Sequence, residues 1–119
     1  MTVLELLRDA SREPDHAQLH VNAFVDAFRR ARPGERSAMI ACGPSDNGRI
    51  EGLASAVVSA LCRETETPSP PWVRVIHSPE PFFVMPATGF ALRVRLMLES
   101  PLPFHARNVF VPENYLSRA

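Results

Sequence analysis

Hydrophobic and polar positions divide the chain into two unlike stretches that meet near Thr67. Upstream, apolar residues recur every three or four positions, the period of an amphipathic helix. Over 49–64, Ile50, Leu53, Ala54, Val57, Val58, Leu61 and Cys62 form a stripe wide enough for a core face. Nothing there alternates with period two, so the segment is a helix despite its valines. Over 15–32, the apolar residues Leu19, Val21, Phe24, Val25 and Phe28 include the i,i+4 pairs Val21/Val25 and Phe24/Phe28, and Ala23, Ala27 and Ala31 permit close approach of a neighbour. A shorter helix is predicted over 2–12, where Thr2 and Glu5 have the spacing of a capping box and Val3, Leu4 and Leu7 supply a small apolar face. Glu13 precedes a proline and is pushed away from helical angles, and Asp15 caps the helix that follows. Pro33 and Gly34 close that helix, a short one follows over 35–42 with Met39 and Ile40 inward, and 43–48 is a loop.

Downstream the pattern changes. Nine of the 12 prolines lie between Pro68 and Pro112, so regular elements there must be short. Pro68, Pro70 and Pro71 make a stiff connector. The segment 72–76 could be a strand but has no evident second strand to pair with, which favours an extended or short helical piece that plugs Trp72 into the core. Pro81, Phe82 and Phe83 bring large apolar groups from irregular backbone. A last helix is predicted over 88–100, with Phe90, Val94, Met97 and Leu98 on one side and Arg93, Arg95 and Glu99 toward solvent. The expected fold is all-α: one compact domain, 1–119, of about four to five helices with a proline-rich irregular segment and a docked C-terminal tail. Its expected core is Phe24, Phe28, Leu53, Val57, Leu61, Trp72, Phe90, Val94 and Met97.

Composition narrows the function classes. At 119 residues with 45% hydrophobic and 22% charged side chains, the chain reads as an ordinary globular domain. Its 13 basic and 13 acidic side chains cancel, so it lacks the field that gathers nucleic acid or anionic membrane. Every basic residue is arginine; without lysine there is no Schiff-base lysine and no phosphate-loop lysine. No run of apolar residues reaches membrane-span length and no signal peptide is evident, which points to the cytoplasm. Cys62 falls on a helix stripe and reads as a small core hydrophobe, whereas Cys42, beside Gly43, fits either a buried or an exposed site.

Candidate chemistry is sparse. His16 and His20 have the i,i+4 spacing of zinc ligands, but the accompanying general-base motif is absent, and a polar helix face explains them more simply. No nucleophile lies in a recognisable catalytic pattern, and the loop from Gly43 to Gly48 lacks the Lys-Ser/Thr of a phosphate loop. No catalytic residue, metal or cofactor is therefore assigned. Arg29, Arg30, Arg32 and Arg36 form the one basic cluster; arginines compensating a helix dipole account for it better than nucleic-acid contact. The tail is the richest stretch. Arg107 could clamp a carboxylate such as that of Glu99 while Asn108 caps a turn, a structural strap. Alternatively Arg107, Asn108, Tyr115 and Arg118 form part of a surface for a protein partner, where tyrosine and arginine are favoured.

The run Glu99, Ser100, Pro101, then Phe104, Arg107 to Val111 and Leu116 to Ala119 resembles the C-terminus of a family of small uncharacterised bacterial proteins, with Pro71-Trp72-Val73 and Pro81-Phe82-Phe83 at comparable places. The resemblance covers 15–119, is specific from about residue 99 onward, and has no counterpart for the loop at Gly43 and Pro44. That family is loosely associated with toxin–antitoxin loci, so the resemblance implies a non-enzymatic, antitoxin-like module that binds a protein partner, such as a neighbouring-gene product. It carries over no catalytic residue. The alternative reading is a small-molecule binder or small enzyme with a pocket near Phe82 and Phe83.

Overall fold

The computed structural model describes residues 1–85 and 89–117. Among them the order is α1 (Val3–Arg12), a 3-10 turn (Pro14–His16), α2 (Ala17–Arg30), α3 (Pro33–Ile40), α4 (Arg49–Thr65), α5 (Trp72–Val75), β1 (Phe82–Phe83), α6 (Phe90–Glu99), α7 (Leu102–His105) and β2 (Val109–Phe110). The domain is mainly helical, as expected, but holds seven helices rather than four to five among the described residues. The additional pieces are the single-turn, four-residue helices α5 and α7, which begin at Pro71 and Pro101.

Helix α4 is the axis of the core. Residues 52–58 are buried without interruption, the signature of a helix covered on all sides. It touches α1, α2, α5, α7 and β2. Against it lie Phe24 and Phe28 of α2, both fully buried with ring centroids 6.0 Å apart, and Val3 and Leu6 of α1. Burial of each such side chain contributes roughly 1.5–3 kcal/mol. The cap of α1 is as expected, with Thr2 accepting the Glu5 N–H at 3.2 Å. Two glycines permit close crossings. A Cβ on Gly52 would come within 2.5 Å of the Ser78 backbone nitrogen, and one on Gly43 within 2.2 Å of the Trp72 ring. Trp72 is thus seated as expected, in a short helix rather than a strand, and its indole N–H donates to the Ile40 carbonyl at 2.8 Å.

Three expectations are corrected. The proline-rich half does contain paired strands: β1 and β2 run parallel, Phe82 opposite Val109 and Phe83 opposite Phe110. A parallel pair needs a crossover rather than a tight turn, so its partners are far apart in sequence. Next, Leu4, expected in the apolar face of α1, is 47% exposed, and Leu6 joins Val3 and Leu7 there instead; on α2, Val21, Phe24, Val25 and Phe28 are buried while Leu19 is 63% exposed. Finally, Phe90, Val94 and Met97 are not core residues. Phe90 is 84% exposed and Met97 39%, Val94 is only partly buried, and Leu96 alone of α6 is buried, against Phe110 and Phe83. Helix α6 thus stands on the β1–β2 pair, outside the main core. Thr88, where the sequence could start this helix, lies outside the described residues.

Candidate functional site

The tail residues singled out by sequence are gathered inside the fold. Helix α5 is one turn long, so the Val73 carbonyl has no helical N–H to accept. Arg107 fills that need: Nη2 donates to Val73 O at 2.8 Å, Nε to Ser55 Oγ at 2.9 Å and Nη1 to Pro103 O at 2.8 Å. Ser55, fully buried on α4, donates its own hydroxyl to the same Val73 oxygen at 2.8 Å. No carboxylate takes part. The expected bridge to Glu99 is replaced by a network of carbonyls, because Glu99 turns to Arg95 one helical turn away at 3.0 Å. Burial, and secondarily the positive charge of Arg63, lower the pKa of Arg107 from its ordinary value.

Asn108 adopts a left-handed conformation, φ 62°, which asparagine tolerates better than most residues. Its carbonyl accepts the Phe82 N–H at 3.0 Å, so this turn starts the strand pairing. Tyr115 is 9% exposed, meets Phe104 edge-on at 5.5 Å and donates its hydroxyl to Gln18 Oε1 at 2.7 Å. Burial pushes its pKa up to about 12, the Gln18 bond pulling in the opposite direction. Arg107, Asn108 and Tyr115 therefore each make hydrogen bonds within the domain. They strap the tail to α4, α5, β1 and α2. Arg118 lies outside the described residues. Ser100, read from sequence as a mere helix end, belongs to the strap: its hydroxyl accepts the Val111 N–H at 2.8 Å.

The open surface is elsewhere. Between β1 and α6 runs a groove of about 620 Å³ lined by Arg49, Pro81, Phe82, Phe83, Phe90, Arg93, Val94 and Met97. Strand β1 is pinned by its partner, and Phe83 packs on Phe110 at 5.2 Å. On the far side, Leu96 roots α6, which leaves the stripe of Phe90, Val94 and Met97 as the opposite wall. Arg49 lies over the Phe82 ring at 5.8 Å and Arg93 over Phe83 at 5.7 Å, both within cation–π range. Arg49 also meets Glu80 at 3.0 Å, but both side chains are more than half exposed, and such pairs contribute only about 0–1 kcal/mol. The groove's described lining is thus apolar with two guanidinium groups and no carboxylate. Beyond it α6 exposes Leu98 at 81% and Leu92 at 41%, and Leu102 of α7 is exposed at 63%.

The remaining candidates resolve into structure. Arg29 forms a two-pronged contact with Glu64, at 2.9 and 2.8 Å, and donates to Leu116 O at 2.9 Å. Its hydrogen bond lowers the Glu64 pKa. Arg36 donates to the Phe28 and Arg29 carbonyls at the end of α2, so half of the basic cluster serves caps and ties. His20 pairs with Glu13 at 3.0 Å, and no group of three or more His, Cys, Asp or Glu side chains suited to a metal occurs among the described residues. Cys62 is buried, which raises its thiol pKa, and Cys42 is exposed. No described helix is long and apolar enough to cross a membrane. Of the groove, sequence reasoning reached Phe82 and Phe83 but not Arg49 or Arg93, whose only sign was arginine within three residues of an aromatic in the case of Arg93. No protein-family model, curated protein or solved structure matches the chain.

Proposed function

We propose that this chain is a non-enzymatic interaction module, antitoxin-like as its tail resemblance implies, that docks a protein partner on α6 and the adjoining groove. The observation that carries the reading is the exposure of Phe90 and Leu98, at 84% and 81%, on one arc of a helix that makes its own attachment through Leu96. Contiguous apolar surface of this kind marks interaction sites in folded proteins. In this reading the interaction face is on α6, and the tail with Arg107, Asn108 and Tyr115 holds the strand on which α6 stands.

The test is affinity purification from the native host of the full chain and of a Phe90→Glu, Leu98→Glu variant, with mass spectrometry of what accompanies each. A protein that accompanies the parent at one-to-one stoichiometry and is lost from the variant, at unchanged melting temperature, supports docking on α6. Parent protein that comes alone refutes it.

A second reading rests on the groove itself. A volume of about 620 Å³ falls in the range of small-molecule sites, roughly 300–1,000 Å³. A metabolite that raises the melting temperature of the parent but not of a Val94→Arg variant would favour a ligand binder.

A further inference from the structure

Strand β1 has a second edge. In a parallel pair, alternate residues of a strand bond to the same neighbour. Phe82 and Val84 turn their N–H groups to β2, donating to Asn108 O at 3.0 Å and to Phe110 O at 3.2 Å. Phe83, between them, turns its N–H and C=O to the opposite side, where no described residue pairs with them. The outer edge of β2 is closed at Val111, whose N–H and C=O both meet the Ser100 hydroxyl, at 2.8 and 2.9 Å. A strand edge with main-chain donor and acceptor left over is a template for another extended chain. Charged side chains are the usual guard against such pairing, and the sequence carries none from Pro81 to Leu92.

Open space adjoins this edge on both faces, and Phe82 borders both spaces. Side chains alternate across a strand. On the face of Phe83 lies the groove beside α6. On the other face Phe82 and Val84 line a smaller cavity of about 290 Å³, floored also by Ile50 and Leu53. Small-molecule sites run roughly 300–1,000 Å³, so this cavity suits a single side chain. Its one charged residue among the described lining is Asp15. Helix α2 starts without a side-chain cap, and the Asp15 carboxylate has no partner among the described residues. Gln18, the other polar group there, is already bonded to Asn22 and Tyr115.

We propose that an extended segment of a protein partner adds to this edge as a third strand, its main chain bonded to Phe83 and a lysine or arginine beside the bonded residue laid through the smaller cavity to Asp15. In antiparallel addition one residue of the segment exchanges both N–H···O bonds with Phe83. The next side chain falls on the face of Phe82 and Val84, where a long aliphatic stem covers the apolar floor and its charged head meets the carboxylate. Main-chain pairing supplies the attachment and the cavity supplies the selection, as in other strand-addition sites. A second copy of the chain is a poor occupant. Strand β1 is recessed between α6 on one face and the starts of α2 and α4 on the other, and two edges recessed alike do not reach the roughly 4.8 Å that strand pairing needs. The site goes beyond docking on α6 and needs neither Phe90 nor Leu98.

The test uses three fluorescein-labelled peptides of one alternating valine–threonine sequence, titrated with the full chain by fluorescence anisotropy. One has a central lysine, one has glutamate there, and one keeps the lysine but is N-methylated on both residues that flank it. The plain lysine peptide is expected to bind at least about tenfold more tightly than either of the others. Asp15→Asn should bring the lysine and glutamate peptides within about twofold of each other, while Leu98→Glu should leave binding unchanged. Amide exchange followed by NMR should find the Phe83 N–H less protected than those of Phe82 and Val84 in the free chain, and slowed at least about tenfold by saturating lysine peptide. Absence of binding at millimolar lysine peptide, equal binding of the lysine and glutamate peptides, or full binding of the N-methylated one overturns the proposal. So does a lysine preference that survives Asp15→Asn, or a Phe83 amide that the peptide leaves unprotected. Binding lost in Leu98→Glu places the peptide on α6 and overturns it too. A dimer in sedimentation whose Phe83 amide is already protected makes a second copy the occupant, with the same consequence.

Discussion

Replacing Arg107 with alanine distinguishes a strap from a binding arm. The substitution removes three strong hydrogen bonds, to Val73 O and Pro103 O at 2.8 Å and to Ser55 Oγ at 2.9 Å. Bonds from a charged donor contribute about 1.5–3 kcal/mol each. Two corrections reduce the sum. Val73 O keeps the Ser55 hydroxyl as a donor, and Arg107 is only half-buried, so water can reach part of the vacated space. A net loss of about 2–4 kcal/mol remains, a large share of the ~5–15 kcal/mol that holds a domain together. For a domain of this size that lowers Tm by roughly 10 °C. Urea titration followed by circular dichroism measures it directly. Arg107→Lys should recover less than half, because a single ammonium cannot span carbonyls on α5 and α7 together. A change below about 0.5 kcal/mol in Arg107→Ala, with partner binding weakened, would refute the strap and return Arg107 to the interface.

Three shorter predictions follow from other contacts. Gly52→Ala should destabilise by about 1–3 kcal/mol in the same titration, since its Cβ would press on backbone at Ser78, which has no rotamer to yield. Tyr115 carries a pKa raised to about 12 by burial, against about 10 in the unfolded chain. Above pH 10 the unfolded state therefore loses its proton first, so stability is full below pH 10 and declines as pH rises toward 12; Tyr115→Phe should abolish that component of the alkaline decline. Cys42 should react with a thiol reagent in the native protein and Cys62 only after unfolding, one equivalent before denaturant and two after. A second equivalent appearing natively at the first one's rate would contradict the burial of Cys62.

What could be read from sequence was what depends on local pattern. The stripe on α4, the cap at Thr2, the pairs on α2 and the inward Met39 and Ile40 all announce themselves within a few turns, because helical period and capping chemistry are short-range. The misplacements share one physical cause. Phe90, Val94 and Met97 do form an apolar face, but periodicity reports that a face exists and says nothing about what covers it. Whether α6 joins the core depends on where β1 and β2 meet, and that pairing joins two dipeptides far apart in the chain. Arg107 illustrates the same limit from the polar side. Its need for acceptors was evident, yet those acceptors are carbonyls exposed by the brevity of α5 and α7, and no residue type encodes an orphaned carbonyl. The groove's phenylalanines were legible as bulk beside prolines, while Arg49, at the start of an otherwise clear helix, looked like a solvent-facing residue.

The seat of Trp72 gives the molecule a built-in optical probe. It is the chain's single tryptophan, its ring lies on Gly43, and its indole N–H is bound to Ile40 O. The neighbouring residue, Val73, is the acceptor for Arg107, so emission from this one indole senses the joint between α3 and α5 and the arrival of the tail at once. The groove between β1 and α6 does not include it. Quenching and red-shift should therefore track loss of the strap, while a partner seated on α6 should leave the spectrum nearly unchanged, so that folding and binding can be followed in one cuvette as separate signals.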